Sequence, residues 1–343
     1  MAHDEGLWSI GELAERAGVT VKTVRFYSER GLLPETSRSS GGHRRYGPEA
    51  LGRLSLIRAL RGLGLGVPQV RRLLPPAGPS EGVPPGDLPE EGLLEDVLAG
   101  QLRELGSRIE ALRWREAALR LVRECPPGER AERLRLLGAV STPPSTDTLA
   151  RFWRGWLPVR MPARSVAAFL DLAVPQPPAD PEPAQVLAFA RLHALTSRPC
   201  AGTGPSPQPA AHRRAGGARA AVLYEGLAEA YQLAGVRLGA RREPGPGEAL
   251  DGFVAAYASA YGVRDTPGFR RSLAGELAGD PRLDRYWDLV AELRTPPGGT
   301  PAPTPGTAHD WLLAALRAQT AGTPAASARA DRTVNQGNMP FRS

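Results

Sequence analysis

The feature that most constrains this chain is a pair of short helical segments, joined by a tight turn, near its amino end. The segment SIGELAERAG starts at Ser9, which with Glu12 has the spacing of a capping box, and a glycine ends it. Thr20 then caps the segment TVKTVRFYSERGLLP, which carries Lys22 and Arg25 on one helical face. Two helices and a short turn predict a helix-turn-helix, whose second helix enters the major groove of DNA.

A hairpin is predicted directly after the second helix. The glycine pair Gly41 and Gly42 lies between extended polar flanks, which is typical of a hairpin turn. His43, Arg44 and Arg45 follow on the returning flank. An arginine-bearing hairpin beside a helix-turn-helix predicts a small basic β-wing.

These motifs together resemble one family. The segments WSIGELAERAGVTVKTVRFYSERGLLP and GGHRRYGPEALGRLSLIRALRGLGLGVPQVRRLL are similar to the MerR family of transcriptional regulators over residues 7–74, and residues 90–124 resemble it by architecture. The resemblance implies a winged helix-turn-helix DNA-binding domain over residues 1–75. It also implies a homodimer that binds promoter DNA and activates transcription by distorting the promoter so that RNA polymerase can engage it.

The candidate DNA-binding residues combine the basic helix, the wing and the resemblance. They are Thr20, Lys22, Arg25, Phe26, Tyr27, His43, Arg44 and Arg45. By resemblance, Arg25, Tyr27 and Arg44 are the strongest candidates, whereas Phe26 is open between the core and the DNA face. Residues 1–75 hold twelve arginine and lysine residues against seven acidic ones, which suits a phosphate-binding surface.

A long helix is predicted over residues 90–125, after a Pro/Gly-rich linker at 76–89 that is longer than the short turn usual in the family. Its apolar residues repeat at heptad a and d spacing, which predicts a dimerisation coiled coil. The predicted seam is Leu98, Leu102, Leu105, Ile109, Leu112 and Leu119. The alternative is an amphipathic helix that packs on its own domain.

The rest of the chain predicts an all-α domain over residues 128–320, so the fold class is mainly α with one small wing. Low-complexity breaks are predicted near 197–217 and 295–307, and a disordered tail over 321–343. Aromatic residues at helical spacing indicate either a packed core or a pocket for an apolar small-molecule effector. The candidate ligand-binding residues are Trp153, Trp156, Tyr257, Tyr261 and Trp287.

Several classes of function find no support in the residues. Two distant cysteines, Cys125 and Cys200, suit neither a disulfide framework nor a zinc site, and no catalytic constellation is visible, so we expect no metal, no cofactor and no enzyme. The formal net charge of +7 points weakly to nucleic acid. Without a signal segment or a transmembrane run, a cytoplasmic protein is expected. The alternative function is a ligand-independent architectural or protein-interaction DNA-binding protein.

Overall fold

The chain forms two compact units, Met1–Ile109 and Glu110–Ser343. The computed structural model describes residues 6–74, 91–197, 208–215, 219–277 and 279–321. The linker predicted at 76–89, and all but the first residue of the tail predicted at 321–343, lie outside the described residues. Within the described ranges, no helix is both long and apolar enough to cross a membrane.

The first unit begins with the two predicted helices, α1 (Ile10–Arg16) and α2 (Val21–Glu29). The predicted capping box is present, since the Ser9 amide donates to the Glu12 carboxylate at 2.7 Å and the Glu12 amide donates to Ser9 Oγ at 3.3 Å. At the second helix, Thr20 Oγ1 accepts from the Thr23 amide at 3.1 Å. These caps fix where each helix starts, and with it the direction of the basic face of α2.

A three-stranded antiparallel sheet accompanies the helices. Its strands are β1 (Trp8–Ser9), β2 (Ser37–Arg38) and β3 (Arg44–Tyr46), in the spatial order β1-β3-β2. The predicted hairpin is therefore present as β2 and β3, and Gly42 takes the positive φ of +79° that its turn needs. The strand β1 was not predicted from the sequence, and it ties the wing to the residues just before α1.

Two further helices, α3 (Glu49–Gly62) and α4 (Val67–Leu73), close the core of the first unit. Fully buried residues from the helices, the loop after α2 and the wing meet there, among them Leu13, Val24, Leu33, Tyr46 and Leu54. The long helix α5 (Glu91–Glu124) follows, and Val97 on its first part packs into this core.

The second unit is helical throughout its described part. A short 3-10 turn, Pro127–Glu129, precedes its helices. They are α6 (Arg130–Gly138), α7 (Asp147–Trp156), α8 (Ala163–Ala173), α9 (Pro183–Ser197), α10 (Ala210–Arg214), α11 (Ala220–Gly239), α12 (Glu248–Tyr261), α13 (Pro267–Glu276), α14 (Pro281–Arg294) and α15 (Pro305–Ala321). One core cluster draws mainly on α11, α12 and α15, and a second mainly on α7, α9 and α14.

One predicted break is corrected by the structure. Within the low-complexity stretch at 197–217, residues 210–214 form α10, with Ala211 and His212 buried. A polar, proline-rich sequence is ordered here because the His212 ring bonds to two buried tyrosines, a tertiary contact that local composition does not reveal. In the break predicted at 295–307, residues 295–304 contain no helix, and α15 starts at Pro305.

Candidate DNA-binding face and ligand cavity

The basic face of α2 is exposed while its opposite face is buried. Lys22 and Arg25 are solvent-exposed, whereas Val24 lies in the core of the first unit. The Thr20 hydroxyl accepts a hydrogen bond from the Thr23 amide in the first turn of α2, and it lies 2.9 Å from Thr23 Oγ1. This part of α2 therefore presents two cations and a capped, partially positive helix end on one surface.

The wing joins this surface. Arg25 from α2 lines a shallow groove together with His43, Arg44 and Arg45 from the wing. The same groove is completed by Ser9, Ile10, Gly11, Arg38 and Gly42. Four of the predicted DNA-binding residues are thus brought together, whereas Thr20, Lys22, Phe26 and Tyr27 do not line this groove.

One acidic residue sits within the basic wing. The Glu35 carboxylate accepts from Arg38 Nε at 2.6 Å, and its other oxygen lies 3.0 Å from Arg44 Nε. The hydrogen bond from Arg38, with the nearby positive charge of Arg44, holds the pKa of Glu35 below its ordinary value. Two wing arginines therefore share one carboxylate in the DNA-free protein.

Arg45 differs from its neighbours because part of its guanidinium is buried. Its Nε atom is shielded from solvent and has no hydrogen-bond partner among the residues that the structure describes. A buried guanidinium donor without a partner is costly, so an acceptor from a ligand would relieve it. A phosphate oxygen, like a carboxylate oxygen, forms a strong charge-assisted hydrogen bond with a guanidinium.

The aromatic pair at the end of α2 divides its roles. Tyr27 is 9% exposed and belongs to the core, whereas Phe26 is 40% exposed with the guanidinium of Arg30 over its ring. The ring of Tyr27 therefore packs under α2 beside Val24, and its contact with DNA stays a prediction. For Phe26, the structure favours the surface.

Two of the arginines counted in the positive charge of residues 1–75 bond to backbone carbonyls of the fold instead. Arg53 donates from Nε to the Leu32 carbonyl at 2.6 Å, and Arg58 donates to the Ala17 carbonyl at 2.8 Å. Burial lowers the pKa of Arg53. These α3 side chains tie the ends of α1 and of the loop after α2 to the core, so positive charge alone does not mark a DNA contact.

The predicted seam on α5 is largely exposed in the single chain. Leu102 and Leu119 are 69% and 67% exposed, and Leu105, Ile109 and Leu112 are exposed as well, while Leu98 is half-buried. The buried face of the second part of α5 uses different residues, Trp114 and Leu121. As the alternative expects, α5 packs on its own unit, but it does so through a face other than the predicted seam, whose role in a dimer stays a prediction.

The second unit encloses a cavity of about 110 Å³. Trp153 and Trp156 of α7, Tyr224 of α11 and Trp287 of α14 give it aromatic walls. Further lining comes from Phe169, Leu172, Ala173, Pro209, His212, Leu227, Ala228, Tyr231, Leu277, Gly279, Asp280, Leu283, Asp284, Pro305, Gly306, His309 and Asp310. Three of the five predicted ligand-binding residues, Trp153, Trp156 and Trp287, thus line one cavity.

A buried polar network supports one wall of the cavity. His212 Nδ1 lies 3.1 Å from the Tyr224 hydroxyl, and His212 Nε2 lies 3.0 Å from the Tyr257 hydroxyl. The Tyr231 hydroxyl lies 3.0 Å from His309 Nδ1. Burial lowers the pKa of His212 to about 3 and that of His309 to about 4, so both rings are neutral at neutral pH.

Two predicted ligand residues do not line the cavity. Tyr257 is fully buried behind His212, and Tyr261 donates to the Ala211 carbonyl at 2.7 Å. Both sit on α12, whose aromatic side chains pack into the core and position α10. His212 could not be predicted as a site residue because it lies in a low-complexity stretch, and the cavity aspartates could not because scattered acidic residues carry no spacing signal.

The cysteine expectation concerns one described residue. The Cys125 thiol is buried and donates to the Val122 carbonyl at 3.3 Å, while Cys200 lies outside the described residues. Among the described histidine, cysteine and acidic side chains, no group of three is placed to hold a metal ion.

Comparison with known proteins finds a family model that matches residues of the first unit. The family model described as MerR HTH family regulatory protein matches residues 8–76. The chain is 48% identical over 67 residues to Nodulation protein NolA of Bradyrhizobium elkanii, covering 20% of this chain and 31% of that protein. It is 39% identical over 66 residues to the Mercuric resistance operon regulatory protein of Serratia marcescens, covering 19% and 46%.

One relative extends the similarity further along the chain. The HTH-type transcriptional activator TipA of Streptomyces coelicolor is 35% identical over 120 residues, which cover 34% of this chain and 46% of that protein. The chain thus spans about a third to a half of the length of the curated relatives it matches.

Proposed function

We propose that the protein, whose residues 8–76 match the MerR HTH family model, is a sequence-specific, DNA-binding transcriptional regulator. The observation that carries the proposal is the groove shared by Arg25 of α2 and the wing residues His43, Arg44 and Arg45. It combines a helix that can enter a major groove with cations that can hold the flanking phosphates.

In this proposal each side chain has a defined role. Arg25 and Lys22 on α2 face base edges and the nearest phosphates, while His43 and Arg44 on the wing contact the backbone beside the groove. Arg45 gains a phosphate acceptor for its buried Nε atom. The exposed ring of Phe26 gives a flat apolar contact to sugar and phosphate.

The regulator is proposed to act as a homodimer through α5. An exposed apolar stripe at heptad spacing on a 34-residue helix suits a second copy of the same helix, which buries the same residues by symmetry. A symmetric dimer presents two copies of α2 to two half-sites of a promoter. Distortion of the DNA between the half-sites would then change how RNA polymerase engages the promoter.

The second unit is proposed to sense a small molecule. A cavity with aromatic walls and a rigid network of buried hydrogen bonds supports this reading over a purely architectural domain, in which the same aromatic residues would pack without a gap. A ligand that favours one dimer geometry would shift the promoter between two states through its differential contacts.

Genome-wide selection of bound fragments with the purified full-length protein tests the DNA-binding proposal. The expected result is enrichment of a small set of promoter fragments that share a two-fold symmetric motif, with footprints over both half-sites. Uniform recovery of fragments at physiological salt, without a shared motif, would contradict sequence-specific regulation. The neighbouring genes would also suggest compounds to test as effectors.

A further inference from the structure

The cavity of the second unit carries negative charge in a chain that is positive overall. The formal net charge is +7, yet three aspartates, Asp280, Asp284 and Asp310, line the cavity. Among the described lining residues there is neither a lysine nor an arginine. The histidines His212 and His309 are neutral at neutral pH, so they do not offset the carboxylates.

Two of these carboxylates are available to a ligand. Asp280 is committed in part, since its carboxylate accepts from the Arg282 amide at the start of α14 at 2.9 Å. Asp284 and Asp310 are exposed, which places them at the mouth of the cavity. Neither forms an ion pair with another described residue. Partial burial, and then neighbouring aspartates, raise the pKa of both.

The aromatic walls favour the same kind of ligand. Trp287 is on α14, the helix that carries Asp284, and Tyr231 and Trp153 complete the walls with Trp156. Indole and phenol rings pack well against another flat apolar ring. The walls therefore suit the apolar part of such a ligand, while the carboxylates at the mouth attract its positive charge.

An unsatisfied donor in the wall also points to a ligand. Trp153 and Trp156 are 2% and 5% exposed, and neither indole Nε1 atom has a hydrogen-bond partner among the described residues. A buried N–H without a partner is uncommon in a well-packed interior, and its pairing with a ligand acceptor recovers the desolvation cost. The ligand should therefore bring one acceptor atom as well as a positive charge.

We propose that this cavity binds a compact organic cation: a single ring or similar apolar group packs against the tryptophans, an acceptor atom takes the Trp156 N–H, and a quaternary or protonated amine lies at the mouth beside Asp284 and Asp310. This inference rests on the proposed sensing function and adds the charge and size of the effector. The cavity volume of about 110 Å³ is below the roughly 150 Å³ of an engineered cavity that holds benzene. The part of the ligand inside the cavity is therefore no larger than a single ring.

The test uses probes that differ in charge alone. Choline phenyl ether carries a phenyl ring, an ether oxygen and a trimethylammonium group, and 3,3-dimethylbutyl phenyl ether replaces the nitrogen by carbon. Binding to the full-length protein is followed by tryptophan fluorescence, because three tryptophans line the cavity. We expect the cation to bind at least about tenfold more tightly than its neutral isostere, and the anion 3-phenoxypropionate to bind more weakly than either.

Substitutions then locate the preference. Asp284→Asn with Asp310→Asn should remove most of the difference between the cation and the neutral isostere, while circular dichroism stays unchanged because both positions are exposed. Asp147→Asn is the matched control, since it removes an exposed first-turn aspartate that does not line the cavity. Trp156→Phe should weaken choline phenyl ether more than 3-phenylpropyltrimethylammonium, which lacks the ether oxygen.

The outcomes separate this inference from the function on which it rests. Equal affinity for the cation and the neutral isostere, or an unchanged preference in the Asp284 and Asp310 double variant, would overturn the cation but leave a sensor of apolar molecules in place. Absence of binding by every probe would overturn the inference as well. Removal of residues 128–343 then tests the sensing role itself. If the shortened protein still changed transcription from its promoter on addition of an inducing compound, as the full-length protein does, the sensing role would be contradicted, while DNA binding would stand.

Discussion

The candidate functional side chains lie on the surface of the first unit and in the interior of the second. In the first unit, cations from α2 and the wing point outward into an open groove, and they come from within about forty residues of sequence. In the second unit, tyrosines, histidines and tryptophans point inward around a cavity whose lining runs from Trp153 to Asp310. An outward-facing site can be built by one small motif, whereas a cavity needs several helices to close around it.

Charge is also used differently in the two units. The first unit has an excess of positive charge, although the side chains of Arg53 and Arg58 donate to backbone carbonyls within the fold. In the second unit, burial keeps His212 and His309 neutral by lowering the pKa of each, and the exposed carboxylates of Asp284 and Asp310 lie at the cavity mouth. The positive surface of the first unit therefore suits a polyanion, and the negative cavity mouth of the second unit suits a small cation.

The largest expected effect concerns α5. Leu105→Asp with Leu112→Asp places charge on the exposed seam and should yield monomers in sedimentation velocity, because a dimer would bury both carboxylates. Operator affinity should then fall by at least about a hundredfold, since each half-site is bound independently. Ser107→Asp, on an exposed position of the same helix outside the seam, should leave the dimer intact. A double variant that remains dimeric would move the interface away from α5.

A fall in pH should lower the unfolding free energy of the second unit through its buried histidines. The pKa values of His212 and His309 lie near 3 and 4 in the folded protein, against about 6.5 in the unfolded chain, so the unfolded chain binds more protons as the pH falls below 6.5. From pH 7 to pH 5, the second unit should lose about 2 kcal/mol of unfolding free energy per histidine. The raised pKa values of Asp284 and Asp310 act in the opposite direction, because these carboxylates bind protons more readily in the folded protein.

Urea unfolding followed by tryptophan fluorescence measures this effect, because five of the six tryptophans lie beyond residue 110. His309→Gln should reduce the dependence of the unfolding free energy on pH by about half, whatever it does to stability at pH 7. The same pH dependence in wild type and variant would show that His309 is not held neutral by burial.

Loss of one cation from the DNA face should have an intermediate effect. Arg25→Ala should weaken operator binding by about 1–3 kcal/mol and relax sequence preference at one position, because Arg25 faces the groove from α2. Arg151→Ala removes an exposed arginine of the second unit and should leave operator binding unchanged at the same salt concentration. Fluorescence anisotropy with labelled operator measures both variants. Equal affinities for the two would argue against docking through α2.

The smallest expected effect has the opposite sign. Glu35→Gln releases Arg38 and Arg44 from their shared carboxylate and should strengthen DNA binding by a few-fold, roughly what an exposed ion pair is worth. Glu15→Gln removes an exposed carboxylate of α1 and controls for the change in net charge. Weaker binding by the Glu35 variant would instead show that the ion pairs hold the wing in its DNA-binding shape.

The local signals of the first unit were sufficient to predict most of it. Caps at Ser9 and Thr20, the glycine pair of the wing and the order of the motifs predicted α1, α2 and the hairpin. The strand at Trp8–Ser9 was missed because two residues carry no periodicity, and it forms only when β3 is present to pair with it. Phe26 and Tyr27 are adjacent, so only the packing of α2 decided which ring is buried.

In the second unit the sequence determined the class of structure and little of the site. Amphipathic periodicity and the absence of β signals predicted helices, and aromatic spacing indicated Trp153, Trp156 and Trp287 without showing that they surround one cavity. The burial of His212, the placement of Tyr257 behind it, and the meeting of Asp284 with Asp310 depend on helices far apart in the chain. Local propensity sets which segments are helical, but the environment of a side chain, and therefore its charge state and availability, is decided by what packs against it.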